Sequence, residues 1–170
     1  MPRMKYVSLF LLCLAFVPSI PARAEEVQLK AALQIDVPAA VKASKVVFNM
    51  DHAAFSGDQS IGLRQMQSMI LAYRERKTPL EIIAVFHGAA GYMMLNDKAY
   101  DRARKSGIGN PYKQQIVALQ QQGVAFEECV VTAEANGWTN ADLLPGVKVN
   151  GGAVLRLVQL MQDGFVQLQP

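Results

Sequence analysis

KVVFNM at residues 45–50 and LEIIAVF at residues 80–86 decide the fold. Both are short apolar runs rich in β-branched residues, the composition of strands. Between them Ile61, Leu63, Met66, Met69, Ile70 and Tyr73 recur at mainly helical spacing, and Arg74, Arg76 and Lys77 follow where basic residues suit a helix C-terminus. Ser56-Gly57-Asp58 supplies a turn and a plausible N-cap before this helix, and Thr78-Pro79 stops it. Strand, helix, strand in that order is a βαβ unit, which places the two strands in parallel.

The same alternation continues to the C-terminus. Apolar, Met-rich Ala89–Leu95 and polar Asn96–Lys105 read as one or two short helices, with the methionines packing in the core. Tyr112–Gln122 is a further helix closed by Gly123. Val124–Val130 is a third strand, followed by a short helix over residues 132–137 with Thr132 as its N-cap. A turn at residues 143–146, a strand at 147–149, a helix at 153–162 and a last strand at 165–168 complete the pattern. The expected architecture is α/β, a three-layer fold around a mostly parallel sheet of about five strands. Leu33, Ile35 and Val37 alternate with polar residues and suggest an extra edge strand ended by Pro38.

Residues 1–24 read as a secretory signal, with Arg3 and Lys5 before an apolar stretch from Tyr6 to Val17 and Ala22-Arg23-Ala24 as the cleavage site. The stretch is shorter than the roughly 20 residues of a membrane helix. The expectation is therefore a periplasmic or secreted protein, free of the membrane after cleavage, with an N-terminal extension at 25–44 and one domain at 45–170. Cleavage takes Arg3, Lys5 and Arg23 from the 17 basic residues, so the remaining 14 balance the 14 acidic ones. No basic cluster is left to track a phosphate backbone, which argues against nucleic acid.

Of the two cysteines, Cys13 lies in the signal, and Cys129 is the only thiol expected in the mature chain. An odd thiol in an exported protein is a reactive group, half of an intermolecular pair, or a buried inert side chain. Its placement favours reactivity. Ligands of open parallel sheets bind beyond the carboxyl ends of the strands, and that edge collects Asp51-His52 after the first strand, His87-Gly88 after the second, and Cys129 at the end of the third. A helix starting just after Cys129 favours the thiolate, and a protonated His87 or His52 nearby would act in the same direction. Glu127 shares the cysteine's face by strand alternation and Glu128 takes the opposite one. Asp51, His52, His87 and Cys129 lack the paired spacing of metal motifs. Gly107-Ile108-Gly109 and Gly151-Gly152 lack the Lys-Ser/Thr of a phosphate loop. Neither a metal nor another cofactor is expected.

KVVFNMDH (45–52), AVFHGAAGYMMLND (84–97), CVVT (129–132), ADLLPGV (141–147) and QDGFVQLQP (162–170) together resemble the DsrE/DsrF-like family in its exported branch. The resemblance implies a flavodoxin-like sheet with helices on both faces and assembly as homo-oligomers, often trimers or hexamers. It also implies a sulfurtransferase or sulfur-carrier role, in which a cysteine after a strand and before a helix holds sulfur as a persulfide between donor and acceptor proteins. Cys129 occupies that position. His87 would orient or activate it, with Asp51, His52, Gly88 and Thr132 lining the pocket. The competing expectation is a noncatalytic module that binds a small ligand or protein, with Cys129 structural.

Overall fold

The computed structural model describes residues 34–170, and the folded unit spans Ala39–Pro170. The signal at 1–24 lies outside the described residues. Strand β1 (Ser44–Met50) leads into a small antiparallel hairpin of β2 (Phe55–Ser56) and β3 (Gln59–Ser60), then helix α1 (Ile61–Glu75) and strand β4 (Leu80–Phe86). A 3-10 helix (Gly88–Met94), α2 (Asp97–Arg104) and α3 (Lys113–Gln121) lead to β5 (Ala125–Cys129), which passes directly into α4 (Val130–Ala135). A second 3-10 turn (Asn140–Asp142), β6 (Lys148–Asn150), α5 (Ala153–Gln162) and β7 (Val166–Leu168) close the chain.

The main sheet has the order β6-β5-β4-β1-β7, and every adjacent pair is parallel. This is the expected three-layer α/β build. Counted along the main sheet alone, the strand order is 4-3-2-1-5, whereas flavodoxin has 2-1-3-4-5. On one face Phe48, Phe86 and Phe126 pack with Leu63, Met66, Met93, Met94, Ile116 and Leu119 in the larger core. The other face carries Val47, Ile83, Val85 and Cys129 against Ala153, Leu157 and Leu160 of α5 and against Phe165. Burial on both faces explains why β1 and β4 are almost continuously apolar.

Three expectations need correction. Ser56-Gly57-Asp58 turns the hairpin between β2 and β3, and the N-cap of α1 is Ser60. The third strand ends one residue early because Val130 is already helical, so Cys129 occupies the N-cap position that had been assigned to Thr132. Residues 35–37 form no strand. Leu33 lies outside the described residues. Pro38 has no N–H with which to extend a ladder, and the sheet edges are β6 and β7.

Candidate functional site

The C-terminal ends of β4, β5 and β6 open into a cleft of about 400 Å³. His87 and Gly88 line it from the turn after β4, Val131 and Thr132 from α4, and Gly151 to Leu155 from the start of α5, with Cys129 in its wall. None of these side chains is a carboxylate, ammonium or guanidinium group. Gly88 adopts the left-handed conformation (φ 55°), and a Cβ there would lie 3.0 Å from the Asp51 carbonyl oxygen. The Gly88 N–H donates to the Thr132 hydroxyl at 2.9 Å, and the Ala89 N–H donates to that Asp51 carbonyl at 3.0 Å. Thr132 thus fastens the His87-Gly88 turn to α4.

Cys129 is 4% exposed, with one side among the apolar residues under α5 and the other at the cleft. The Ala153 N–H, in the first turn of α5, donates to its sulfur at 3.3 Å. Burial pushes the thiol's pKa up, but the N–H groups of Thr132, Ala153 and Val131 and the Thr132 hydroxyl outweigh it, leaving the thiol more acidic than usual. Among the described residues the one hydrogen bond to the sulfur thus comes from the first turn of α5, while Cys129 itself stands at the start of α4 without a side-chain cap bond.

Family comparison supplies the next constraint. A model of the DsrE/DsrF-like family matches residues 30–170. The chain belongs to the DsrE/DsrF-like family. Among solved structures, a protein of unknown function from Methanobacterium thermoautotrophicum is 24% identical, with a TM-score of 0.58 over 75% of this chain and 99% of that one. The ychN protein of E. coli is 23% identical, with a TM-score of 0.53 over the same shares of the two chains. These likenesses concern the fold. No curated protein matches the chain.

The DsrE/DsrF-like domain does not bring every expected residue to the cleft. His87 is there, but its Nε2–H donates to Asn49 Oδ1 at 2.7 Å, and it makes no hydrogen bond to the Cys129 sulfur. Burial holds its pKa below the usual histidine value, only partly opposed by the Asp51 carboxylate, so the ring is neutral at pH 7. A cationic His87 is therefore not what acidifies the thiol; backbone N–H groups are. Asp51 and His52 bond each other through Oδ1 and Nδ1, and Gln169 Nε2 donates to Asp51 Oδ2 at 2.9 Å. Their side chains belong to the β1–β7 side of the edge and do not line the cleft. Among the described residues no group of three or more potential His, Cys, Asp or Glu ligands gathers as a metal site.

Sequence reasoning missed the residue that meets the sulfur from α5 and gave no role to the carboxyl on the opposite face of the sheet. The signal for Ala153 is a strand followed by Gly151-Gly152 and the start of a helix, a pattern that the absence of a phosphate-loop Lys-Ser/Thr does not weaken. Glu128 was placed on the face opposite Cys129, but its surroundings could not be read. It is fully buried, and neither carboxyl oxygen has a hydrogen-bond partner among the described residues. Glu127, by contrast, is held by Arg156 of α5, with Nη2 to Oε1 at 2.7 Å and Nε to Oε2 at 2.9 Å, and by Asn150 at 3.2 Å.

Proposed function

We propose that this protein is a sulfur carrier acting outside the cytoplasm, with Cys129 as the group that holds sulfane sulfur. The observation that carries the reading is the Cys129 sulfur at the cleft wall, acidified by N–H groups from α4 and α5. The thiolate attacks the outer sulfur of a donor persulfide, R–S–SH. A bond forms between that sulfur and Cys129, the donor's S–S bond breaks, and R–S⁻ departs, leaving Cys129–S–SH. An acceptor thiolate then attacks the carried sulfur and releases Cys129 as thiolate. Neither step needs a cofactor. Thr132 and Gly88 shape the entrance, and neutral His87 forms its wall.

Mass spectrometry of the folded protein after incubation with polysulfide tests the reading. One or more added sulfur atoms on Cys129, removed by a thiol reductant, are expected in the wild type and absent in Cys129→Ser. The serine hydroxyl can accept the Ala153 N–H that the sulfur accepts, so stability should change by less than about 1 kcal/mol if its O–H reaches the cleft, and fall by about 1–3 kcal/mol if the hydroxyl is held among the apolar residues under α5. Normal sulfur loading by the variant would overturn the mechanism. The 4% exposure of Cys129 favours the second reading, a binding module with a structural thiol. If iodoacetamide labels Cys129 only after unfolding, that second reading prevails.

Self-association belongs to the same proposal. Val154 and Leu155 are 72% and 73% exposed on α5, and Val158 and Met161 continue the apolar surface along the helix. A surface of this kind supports self-association, and a trimer or hexamer is the assembly the family resemblance leads one to expect. Leu155→Glu is expected to reduce the mass measured by light scattering to that of a smaller species. A wild type that is monomeric at micromolar concentration would refute the assembly.

A further inference from the structure

Two consecutive residues at the end of β5 face opposite sides of the sheet. Cys129 turns toward α5, while Glu128 turns under the 3-10 helix and α4. A Cβ placed on Gly91 would meet Glu128 Oε1 at 2.6 Å, Thr132 Cγ2 at 2.8 Å and Trp138 Cζ3 at 3.3 Å, so the carboxyl, a methyl group and an indole edge share one small space. In register beside Glu128 stand Phe86 of β4 and Val149 of β6. No cation lies among these neighbours. Of the ionisable groups on the packed elements, His87 is bonded to Asn49, Tyr92 packs against Tyr100 and Tyr112, and Glu134 and Lys148 point to solvent. A buried carboxylate with no donor is unfavourable, and such a group keeps its proton instead.

We propose that Glu128 is a positioning residue for Cys129: its carboxyl stays protonated so that the negative charge of the pair resides on sulfur, and ionisation of either group opposes ionisation of the other. The proposal rests on Cys129 acting as a thiolate nucleophile. It goes beyond that reading by assigning a role to a residue that never touches the cleft. Burial, followed by the charge on Cys129, moves the Glu128 pKa up to about 8. Coupling of this kind is reciprocal, so the state of the sulfur must be legible in the titration of the carboxyl.

The test is a pH titration of the folded, full-length protein carrying ¹³C-labelled glutamate, in wild type, Glu128→Gln and Cys129→Ser. Fluorescence of Trp138, the chain's single tryptophan, is followed in parallel. One glutamate carboxyl is expected to titrate near pH 8 in the wild type and to be missing from Glu128→Gln. In Cys129→Ser, where no thiolate can form, its midpoint should fall by about one pH unit. Should Glu128→Gln fail to fold, the late-titrating resonance still identifies the carboxyl and the Cys129→Ser comparison still decides. A midpoint unchanged by Cys129→Ser, or a wild type in which every glutamate titrates in the ordinary range, overturns the proposal. Sulfur loading enters none of these readouts, so failure of the carrier reading and failure of this one are seen separately.

Discussion

Glu128→Gln should be more stable relative to the wild type at pH 8 than at pH 5, and the difference should widen steadily between those values. In the folded protein the carboxyl titrates at about 8, against an ordinary value of 4.5. Below pH 4.5 both folded and unfolded chains hold the proton, and the group contributes no pH dependence. Between 4.5 and 8 the unfolded chain releases the proton while the folded one retains it. The folded state then binds more protons than the unfolded state, and its stability falls with rising pH. One proton corresponds to about 1.4 kcal/mol per pH unit, so the whole window is worth on the order of 4–5 kcal/mol at most. Glutamine is neutral throughout and has no such slope, although its amide inherits the same lack of partners at every pH. Urea unfolding of both proteins at pH 5, 6, 7 and 8 measures the difference; apart from Cys129, which is coupled to the carboxyl, the other titrating groups are common to the pair. Parallel stability curves would mean that the carboxyl is ionised or hydrated in the folded state.

The elements that pack on both faces were the ones legible in the sequence. KVVFNM and LEIIAVF read as strands because burial on both sides removes polar residues, and their parallel pairing followed from the helix between them. The hairpin of β2 and β3 was not legible, since two-residue strands leave too little periodicity to separate from a turn. At the site, the sheet-edge rule brought Cys129, His87 and Gly88 to one cleft, which Thr132 also lines. It erred for Asp51 and His52 because β1 lies between β4 and β7: Gln169 beyond β7 donates to the Asp51 carboxylate, and His52 bonds that same carboxylate. Glu127 and Glu128 show the limit most sharply. Alternation assigned their faces, yet nothing in the two adjacent letters says that one meets a guanidinium and the other meets a glycine, a methyl group and an indole.

Arg156→Met should be among the most destabilising single changes on the α5 face, at about 3–5 kcal/mol, because it leaves the Glu127 carboxylate buried with only the Asn150 amide beside it. In the wild type the Glu127 carboxylate receives a forked pair of bonds from Arg156, a geometry that fixes α5 against β5 as well as balancing charge. α5 begins at Ala153, one turn before Arg156, so the same contact sets the distance of the Ala153 N–H from the Cys129 sulfur. Two results are therefore expected from one substitution. Stability drops in urea unfolding, and the Cys129 thiol becomes less acidic, because Glu127 shares its face and its negative charge is no longer balanced. Adding Glu127→Leu to Arg156→Met should recover most of the lost stability, since replacing both members of a buried ion pair with apolar groups removes the uncompensated charge. The thiol should recover its acidity in the double variant only so far as α5 returns to place. A loss below about 1 kcal/mol for Arg156→Met would show the pair to behave as a surface bridge, screened by solvent, and would remove the link between Glu127, α5 and the thiol.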